Sequence, residues 1–285
     1  MSRDEPLAVW LARWDLTFEG RPSYGDREPY PGAAPVAFVT RLGSPLVLKL
    51  LPRGSDEYGS AWVLAHWNGV GAVRLIEADE GAVLIERAIP GDDLTALVAA
   101  DRDDDATLAL CEVMAKLDRP PPPHGRLRTV ADWGRGFRRN RRAAAAQGMP
   151  RALIDRAEAL FMDLCRTQAT PIVLHGDLQH YNVLRDAQRG WLAIDPKGIL
   201  GEPAYETGAM LRNPHDPRHP PHVAIARRTE LLCDRLGYDR TRVLGWCFCQ
   251  WVLSILWAIE DGIAFSPDWL TGPLAAEALF RAAQR

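Results

Sequence analysis

Lysine is almost missing from this chain. Of its 34 basic residues only Lys49, Lys116 and Lys197 are lysines, and the rest are arginine. The simplest cause is the codon bias of a GC-rich genome, and it draws attention to each lysine that is kept. Cysteine is scarce as well. Cys111, Cys165, Cys233, Cys247 and Cys249 are an odd set with no Cys-x-x-Cys pair. That excludes a disulfide scaffold and argues against a zinc site, and it reads as a reduced, cytoplasmic chain. No charge excess exists either. With 34 basic and 37 acidic residues the net charge is −3, which gives no argument for a nucleic-acid or membrane partner. The longest apolar run, 246–259, is broken by Gln250 and Ser254. It falls short of the roughly 20 residues a membrane span needs. The first six residues lack the basic-then-apolar pattern of a signal peptide. No internal repeat is present.

What the chain does have is a pattern that changes along its length. At 285 residues, 47% hydrophobic and 25% charged, it has the composition of a soluble globular protein, in one large domain or two lobes. Apolar runs at 36–40 and 46–51 flank Gly43-Ser44-Pro45, and runs at 73–78 and 82–89 flank Asp79-Glu80-Gly81. Both arrangements predict strand–turn–strand units. Between them the pattern at 56–68 is helical and ends at Gly69 and Gly71. Pro90-Gly91 closes the second pair. From there helices dominate, at 94–100, 106–117, 133–147, 150–167, 204–212, 224–236, 242–261 and 274–283. Short strands are expected at 172–174 and 191–194, and the prolines at 120–123 form a stiff linker. The expected architecture is therefore α+β and bilobal. An antiparallel-sheet lobe with one main helix spans 1–90, and a mostly helical lobe spans 91–285.

The chemistry concentrates in one segment, Ile172-Val-Leu-His175-Gly176-Asp177-Leu-Gln-His180-Tyr-Asn182-Val-Leu184. An apolar strand runs into a polar loop and back to a strand that ends in Asp195. The His-x-Asp-x4-Asn spacing is that of a kinase catalytic loop. There a carboxylate accepts the proton of the attacking hydroxyl, while an amide oxygen and a second carboxylate hold Mg²⁺. Asp177 and Asn182 alone would equally cap a turn. The flanking strands, the preceding His-Gly and the strand-end Asp195 favour catalysis. Lys49 lies inside an apolar run, where a charge is costly unless an anion partners it. The alternative is an edge-strand lysine that reaches solvent.

The run from His175 to Asn182, followed by Asp195-Pro-Lys-Gly198, resembles the aminoglycoside phosphotransferases. Gly201-Glu-Pro-Ala-Tyr-Glu206 and Leu211-Arg-Asn-Pro214 resemble their streptomycin 6-kinase and hydroxyurea phosphotransferase branch. The resemblance is strong over 172–214, fair over 46–92 and weak in the first 35 residues. It implies a protein-kinase-like fold that uses ATP and Mg²⁺ and phosphorylates a hydroxyl of a small molecule. Carried onto this chain, it makes Asp177 the base, His175 a stabiliser of the loop, and Asn182 and Asp195 the metal ligands. Lys49 becomes the lysine that touches the α- and β-phosphates. The backbone carbonyl near Glu86 and the amide near Ala88 would hydrogen-bond adenine at the interlobe hinge. The glutamate that usually pairs with the lysine falls at Ser60, and Glu57, on about the same helix face, is the substitute. The phosphate-covering loop falls at 29–35. There Gly32 stands among three prolines, which lack the N–H groups a phosphate cradle needs.

Only ten residues separate Asp195 from Tyr205, with no Ala-Pro-Glu motif, so a small alcohol is expected as acceptor and a docked peptide is not. A cationic aminoglycoside would want carboxylates near Asp177, and Glu202, Glu206, Glu260 and Asp261 are the candidates. Helix-end carboxylates are the alternative reading. His215, His219 and His222 lie in a proline-rich run and read as an exposed loop before a zinc site. The arginines from 135 to 142 read as a solvated helix face. The expectation is a cytoplasmic small-molecule kinase, monomeric or weakly dimeric. The alternative is a catalytically weak or inactive kinase-like protein that binds a small ligand without phosphorylating it. The loop at 29–35 and Ser60 motivate that alternative.

Overall fold

A computed structural model describes residues 5–22, 34–51, 59–121, 127–216 and 218–285. The chain begins with helix α1 (Glu5–Arg13) and then builds a five-stranded antiparallel sheet. Its strands are β1 (Thr17–Gly20), β2 (Val36–Arg41), β3 (Ser44–Leu50), β4 (Leu75–Asp79) and β5 (Ala82–Glu86), and helix α2 (Ser60–Trp67) lies between β3 and β4. The spatial order is β1-β2-β3-β5-β4. Both expected hairpins form, with Arg41 opposite Ser44 and Asp79 opposite Ala82.

The two-residue period of β3 sorts its side chains. Leu46, Leu48 and Leu50 join Val39, Leu84 and Trp14 on one face, which α1 covers with Leu7, Trp10 and Leu11. Lys49 and Leu51 fall on the other face. There Val63, Leu64 and Trp67 of α2 pack with Val83 and Ile85 in the main core. Burying a side chain such as the fully covered Leu48 is worth about 1.5–3 kcal/mol. Lys49 is thus held on the inner face of the sheet by the leucines on either side of it.

The remaining elements are β6 (Pro90–Asp93), α3 (Thr95–Ala99), α4 (Asp103–Leu117), β7 (Arg128–Thr129), α5 (Val130–Trp133), α6 (Arg135–Ala146) and α7 (Arg151–Arg166). They continue with β8 (Ile172–Leu174), β9 (Val183–Asp186), β10 (Gly190–Ala193), β11 (Ile199–Gly201), α8 (Thr207–Arg212), α9 (Pro221–Leu236), α10 (Arg240–Glu260) and α11 (Thr271–Ala283). Two small sheets, β10-β9-β6 and β7-β11-β8, carry the loops between them. Pro90-Gly91, which the sequence marks as a break, instead opens β6. This is an edge strand, where proline's missing N–H is tolerated. Helix α10 is the axis of the helical half and packs against α6, α7, α8, α9 and α11. The Asp239 carboxylate caps it by accepting the Arg242 N–H at 2.7 Å. An 18-residue window of α10 is apolar enough to cross a membrane (mean hydropathy 1.5), but 72% of that window is buried inside the protein. Tyr205 and Phe161 meet Trp246 of α10 edge-on, at 5.0 and 5.2 Å. The result is an α+β molecule with a small antiparallel-sheet lobe and a mostly helical one.

Candidate active site

The candidate catalytic segment leaves β8 at Leu174, turns through His175, Gly176 and Asp177, and enters β9 after a short 3-10 turn at His180–Asn182. Gly176 has φ +87°, and a Cβ there would lie 3.1 Å from Trp133 and 3.3 Å from Cβ of Lys197. Glycine alone takes this turn cheaply. His175 is fully buried. Its Nε2 lies 2.7 Å from the Ile194 carbonyl oxygen, and its Nδ1 accepts the Asp177 N–H at 3.3 Å. Those contacts fit one neutral tautomer with the proton on Nε2. Burial pulls the imidazole pKa down to about 4, so the ring is neutral at pH 7. Trp67 of α2 stacks on it at 6.2 Å.

Asp177 is held from one side. Asn182 Nδ2 donates to its backbone oxygen at 2.8 Å and to Oδ2 at 3.1 Å. Oδ1 has a long contact of 3.5 Å from Gln179 Nε2, and Arg212 Nη2 stands 3.8 Å away. The Ile194 N–H donates to the Asn182 carbonyl at 2.9 Å, which sets Asp195 beside the same loop. Asp195 has φ +58°, an uncommon conformation that aspartate tolerates. Lys49 Nζ reaches across from the sheet to Asp195 Oδ1 at 2.9 Å, with the lysine side chain 7% and the aspartate 34% exposed. The anion that the buried lysine called for is therefore present. Gly198, at φ +70°, lets α2 approach, since a Cβ there would meet Val63 Cγ2 at 2.5 Å.

Two expected acceptor carboxylates lie elsewhere than at an open surface. Glu206 is buried and accepts N–H groups of His175 at 2.6 Å, Gly176 at 2.9 Å and Leu178 at 3.4 Å. Burial pushes its carboxyl up to about 7, against the opposing pull of these hydrogen bonds. Glu202 is buried and accepts from Arg242 Nε at 2.6 Å, from Ala169 N–H at 3.2 Å and from the Trp246 indole. Both carboxylates are taken up by internal donors, so the acceptor-binding expectation is corrected to a supporting role. Glu260 sits at the end of α10 and is gripped by Arg139 at 2.6 Å and Asn140 at 2.7 Å, both on α6. Asp261, exposed, ends the same helix.

The Glu86 side chain pairs with Arg74 and Arg189, and its N–H donates to the Arg74 carbonyl at 2.9 Å. Ala88 is buried just past the end of β5. Ser60 opens α2, buried, with no hydrogen-bond partner for its hydroxyl among the described residues. Glu57, Gly32 and most of the 29–35 loop lie outside the described residues. His219 pairs with Asp216 at 3.2 Å, and no group of three His, Cys, Asp or Glu side chains is placed to hold a metal among the described residues. In the arginine run, Arg138 and Arg141 pair with Glu158, and Arg139 with Glu260.

Sequence reasoning missed the supporting hydrogen bonds of Glu206 and the placement of Arg212 beside Asp177. The signal for Arg212 is a single cation closing the otherwise fully buried α8.

A sheet lobe that presents a buried lysine to an Asp/Asn loop on a helical lobe is the architecture of the protein-kinase-like phosphotransferases. Residues 31–262 match the family described as aminoglycoside/hydroxyurea antibiotic resistance kinase, and the chain belongs to that family. It is an ATP-dependent phosphotransferase. A streptomycin 6-kinase of Streptomyces glaucescens is 36% identical to it over 89% of this chain and 82% of the relative. A streptomycin 3''-kinase of Klebsiella pneumoniae is 34% identical over 76% and 81%. Among solved structures, a thermostable mutant of an aminoglycoside phosphotransferase in ternary complex with ADP and hygromycin B superposes with a TM-score of 0.66. It shares 15% identity and covers 96% of this chain and 97% of that one, so it has the same fold.

Proposed function

We propose that this protein transfers the γ-phosphoryl group of ATP to a hydroxyl of an aminoglycoside or a related small hydroxylated acceptor, with Asp177 as the base. The observation that carries the reading is the asymmetry of Asp177. Oδ2 is fixed by Asn182 at 3.1 Å, while among the described residues Oδ1 has only contacts of 3.5 Å and longer, which leaves it able to accept a proton. A general base so placed contributes about 10²–10⁴-fold.

Mg²⁺ prefers hard oxygen ligands. The Asp195 carboxylate and the Asn182 Oδ1, whose Nδ2 is engaged with Asp177, are a donor set of that kind. When bound, the ion neutralises charge on the phosphates. Lys49, already beside Asp195, anchors the α- and β-phosphates, and the backbone from Glu86 to Ala88 receives adenine. His175 and Glu206 keep the loop rigid, so that catalysis comes mainly from positioning. Streptomycin and hydroxyurea, on which the relatives act by name, are the first acceptors to try. The protein works in the cytoplasm, where Mg-ATP is available, as a monomer or weak dimer.

ADP release from Mg-ATP tests the reading, with streptomycin, other aminocyclitols, hydroxyurea and simple sugars as acceptors, beside Asp177→Asn. Release should depend on the acceptor, and the variant should bind nucleotide normally while losing about 10³-fold in turnover. Near-normal turnover in the variant removes Asp177 from the role. Absence of transfer to every acceptor together with loss of Mg-ATP binding favours a ligand-binding relative.

A further inference from the structure

Arg212 ends α8 and comes closest of the described cations to Asp177 Oδ1, at 3.8 Å. Its guanidinium is fixed in place. Nη1 donates to Ser254 Oγ of α10 at 3.1 Å, and the side chain is only 17% exposed. Nε is buried with no hydrogen-bond partner among the described residues. Leaving such a donor unsatisfied is costly, and a purely structural ion pair would be expected to relieve it. The gap to Asp177 is too long for a hydrogen bond, so the two charges face each other without closing. Arg212 also lines a shallow hollow, open to solvent, with Pro214, His215, Asp216, His219 and Trp251. Arg212 thus borders both the hollow and Asp177.

A carboxylate that accepts and a guanidinium that donates, a few ångströms apart, recognise two neighbouring oxygens on one ligand. We propose that Arg212 is an acceptor-binding residue: it donates to the oxygen that neighbours the hydroxyl held by Asp177, and so selects vicinal diols and N-hydroxyureas over isolated alcohols. The proposal rests on the phosphotransfer reading above. In the transfer, the proton of the acceptor hydroxyl passes to Asp177 Oδ1, and the acceptor oxygen bonds to the γ-phosphorus. The bond from that phosphorus to the β–γ bridging oxygen breaks, leaving the electron pair on ADP. Arg212 keeps its protons throughout and holds the second oxygen, which fixes the angle at which the first one attacks.

The test uses the full chain with saturating Mg-ATP and streptomycin as reporter acceptor. Cis-cyclohexane-1,2-diol and cyclohexanol are compared as inhibitors of streptomycin phosphorylation. In the wild type the diol should inhibit at about tenfold lower concentration than the mono-alcohol, the effect of one charge-assisted hydrogen bond. In Arg212→Gln that ratio should fall to about one, and the KM for streptomycin should rise while the KM for Mg-ATP holds within about twofold. Ser254→Ala, which removes only the hydroxyl holding Nη1, should give an intermediate ratio and keeps the test valid if Arg212→Gln does not fold. An unchanged diol preference in both variants overturns the proposal and leaves the kinase reading intact. Wild-type protein that neither binds Mg-ATP nor phosphorylates any acceptor of the panel above overturns the proposed function, and this proposal with it.

Discussion

Lys49 shows how far a single residue can be argued. It is an ammonium inside an apolar strand, with Leu48 and Leu50 beside it buried on the opposite face. Such a charge persists only with an anion, and Asp195 stands 2.9 Å away. Lys49→Met keeps the length and apolar stem of the side chain. Asp195, 34% exposed, stays hydrated, so the fold should survive. The expected outcome is a fall of about 10- to 100-fold in Mg-ATP affinity, read by a nucleotide titration, from loss of a charge-assisted contact. An unchanged affinity removes Lys49 from the nucleotide site. Legibility at this scale followed chemistry. Asp177, Asn182 and Asp195 stood out as candidates because phosphoryl transfer needs those residue types at those spacings, and the structure brings them together. Glu202 and Glu206 were misread because a carboxylate looks the same in a sequence whether it meets a ligand or three backbone N–H groups.

The catalytic loop is an element held by two buried titratable groups whose burial has opposite consequences for stability. The Glu206 carboxyl is raised from 4.5 to about 7, so the folded protein binds more protons than the unfolded chain between those values. Its contribution is full below pH 4.5 and is lost as pH rises through 7. The His175 imidazole is lowered from 6.5 to about 4, so the folded protein binds fewer protons in that window. Its contribution is full above pH 6.5 and is lost as pH falls through 4. The two slopes cancel over most of pH 4.5–6.5. Removing either should expose the other, by on the order of 2 kcal/mol across the window. Urea unfolding from pH 4.5 to 7.5 should show Glu206→Gln gaining stability relative to wild type as pH rises. His175→Gln should lose it. Parallel curves for all three proteins would mean that neither group titrates as its burial requires. The hairpins around the loop were legible because turn residues and alternation mark them. Helix α1 and strand β6 were not. α1 depends on Leu7, Trp10 and Leu11 docking on the sheet, and β6 pairs with β9 more than 90 residues further along the chain, which leaves no local period.

At the scale of the molecule, the sheet-first, helix-later pattern predicted the α+β architecture, but the tie between the sheet and the catalytic hairpin carries no sequence signal. That tie is Arg189, in the turn between β9 and β10. It grips Glu86 at the end of β5, the Gly69 carbonyl, and the Ala72 carbonyl at 3.1 Å, contacts that span 103 to 120 residues of sequence. Beside it the Val73 N–H donates to the Ala193 carbonyl at 3.0 Å, and the Ala193 N–H to the Gly71 carbonyl at 2.9 Å. The open end of the hairpin carries both Asn182 and Asp195, and the sheet carries Lys49. Arg189→Ala leaves Glu86 with Arg74, which is 57% exposed, and strips two carbonyls of a donor. The expected loss is about 2–4 kcal/mol, or a Tm lower by about 4–12 °C. Because a ligand that binds only the folded form adds RT ln(1 + [L]/Kd), saturating Mg-ATP should recover about 2–3 kcal/mol of that loss at a hundred times Kd. In Lys49→Met the same nucleotide concentration should raise Tm far less, since there the contact itself is gone and the scaffold is intact. Thermal melts of both variants with and without Mg-ATP therefore separate the two roles. If Mg-ATP raised neither Tm, Arg189 would be holding the nucleotide contacts themselves and would not serve merely as the brace between the sheet and the hairpin.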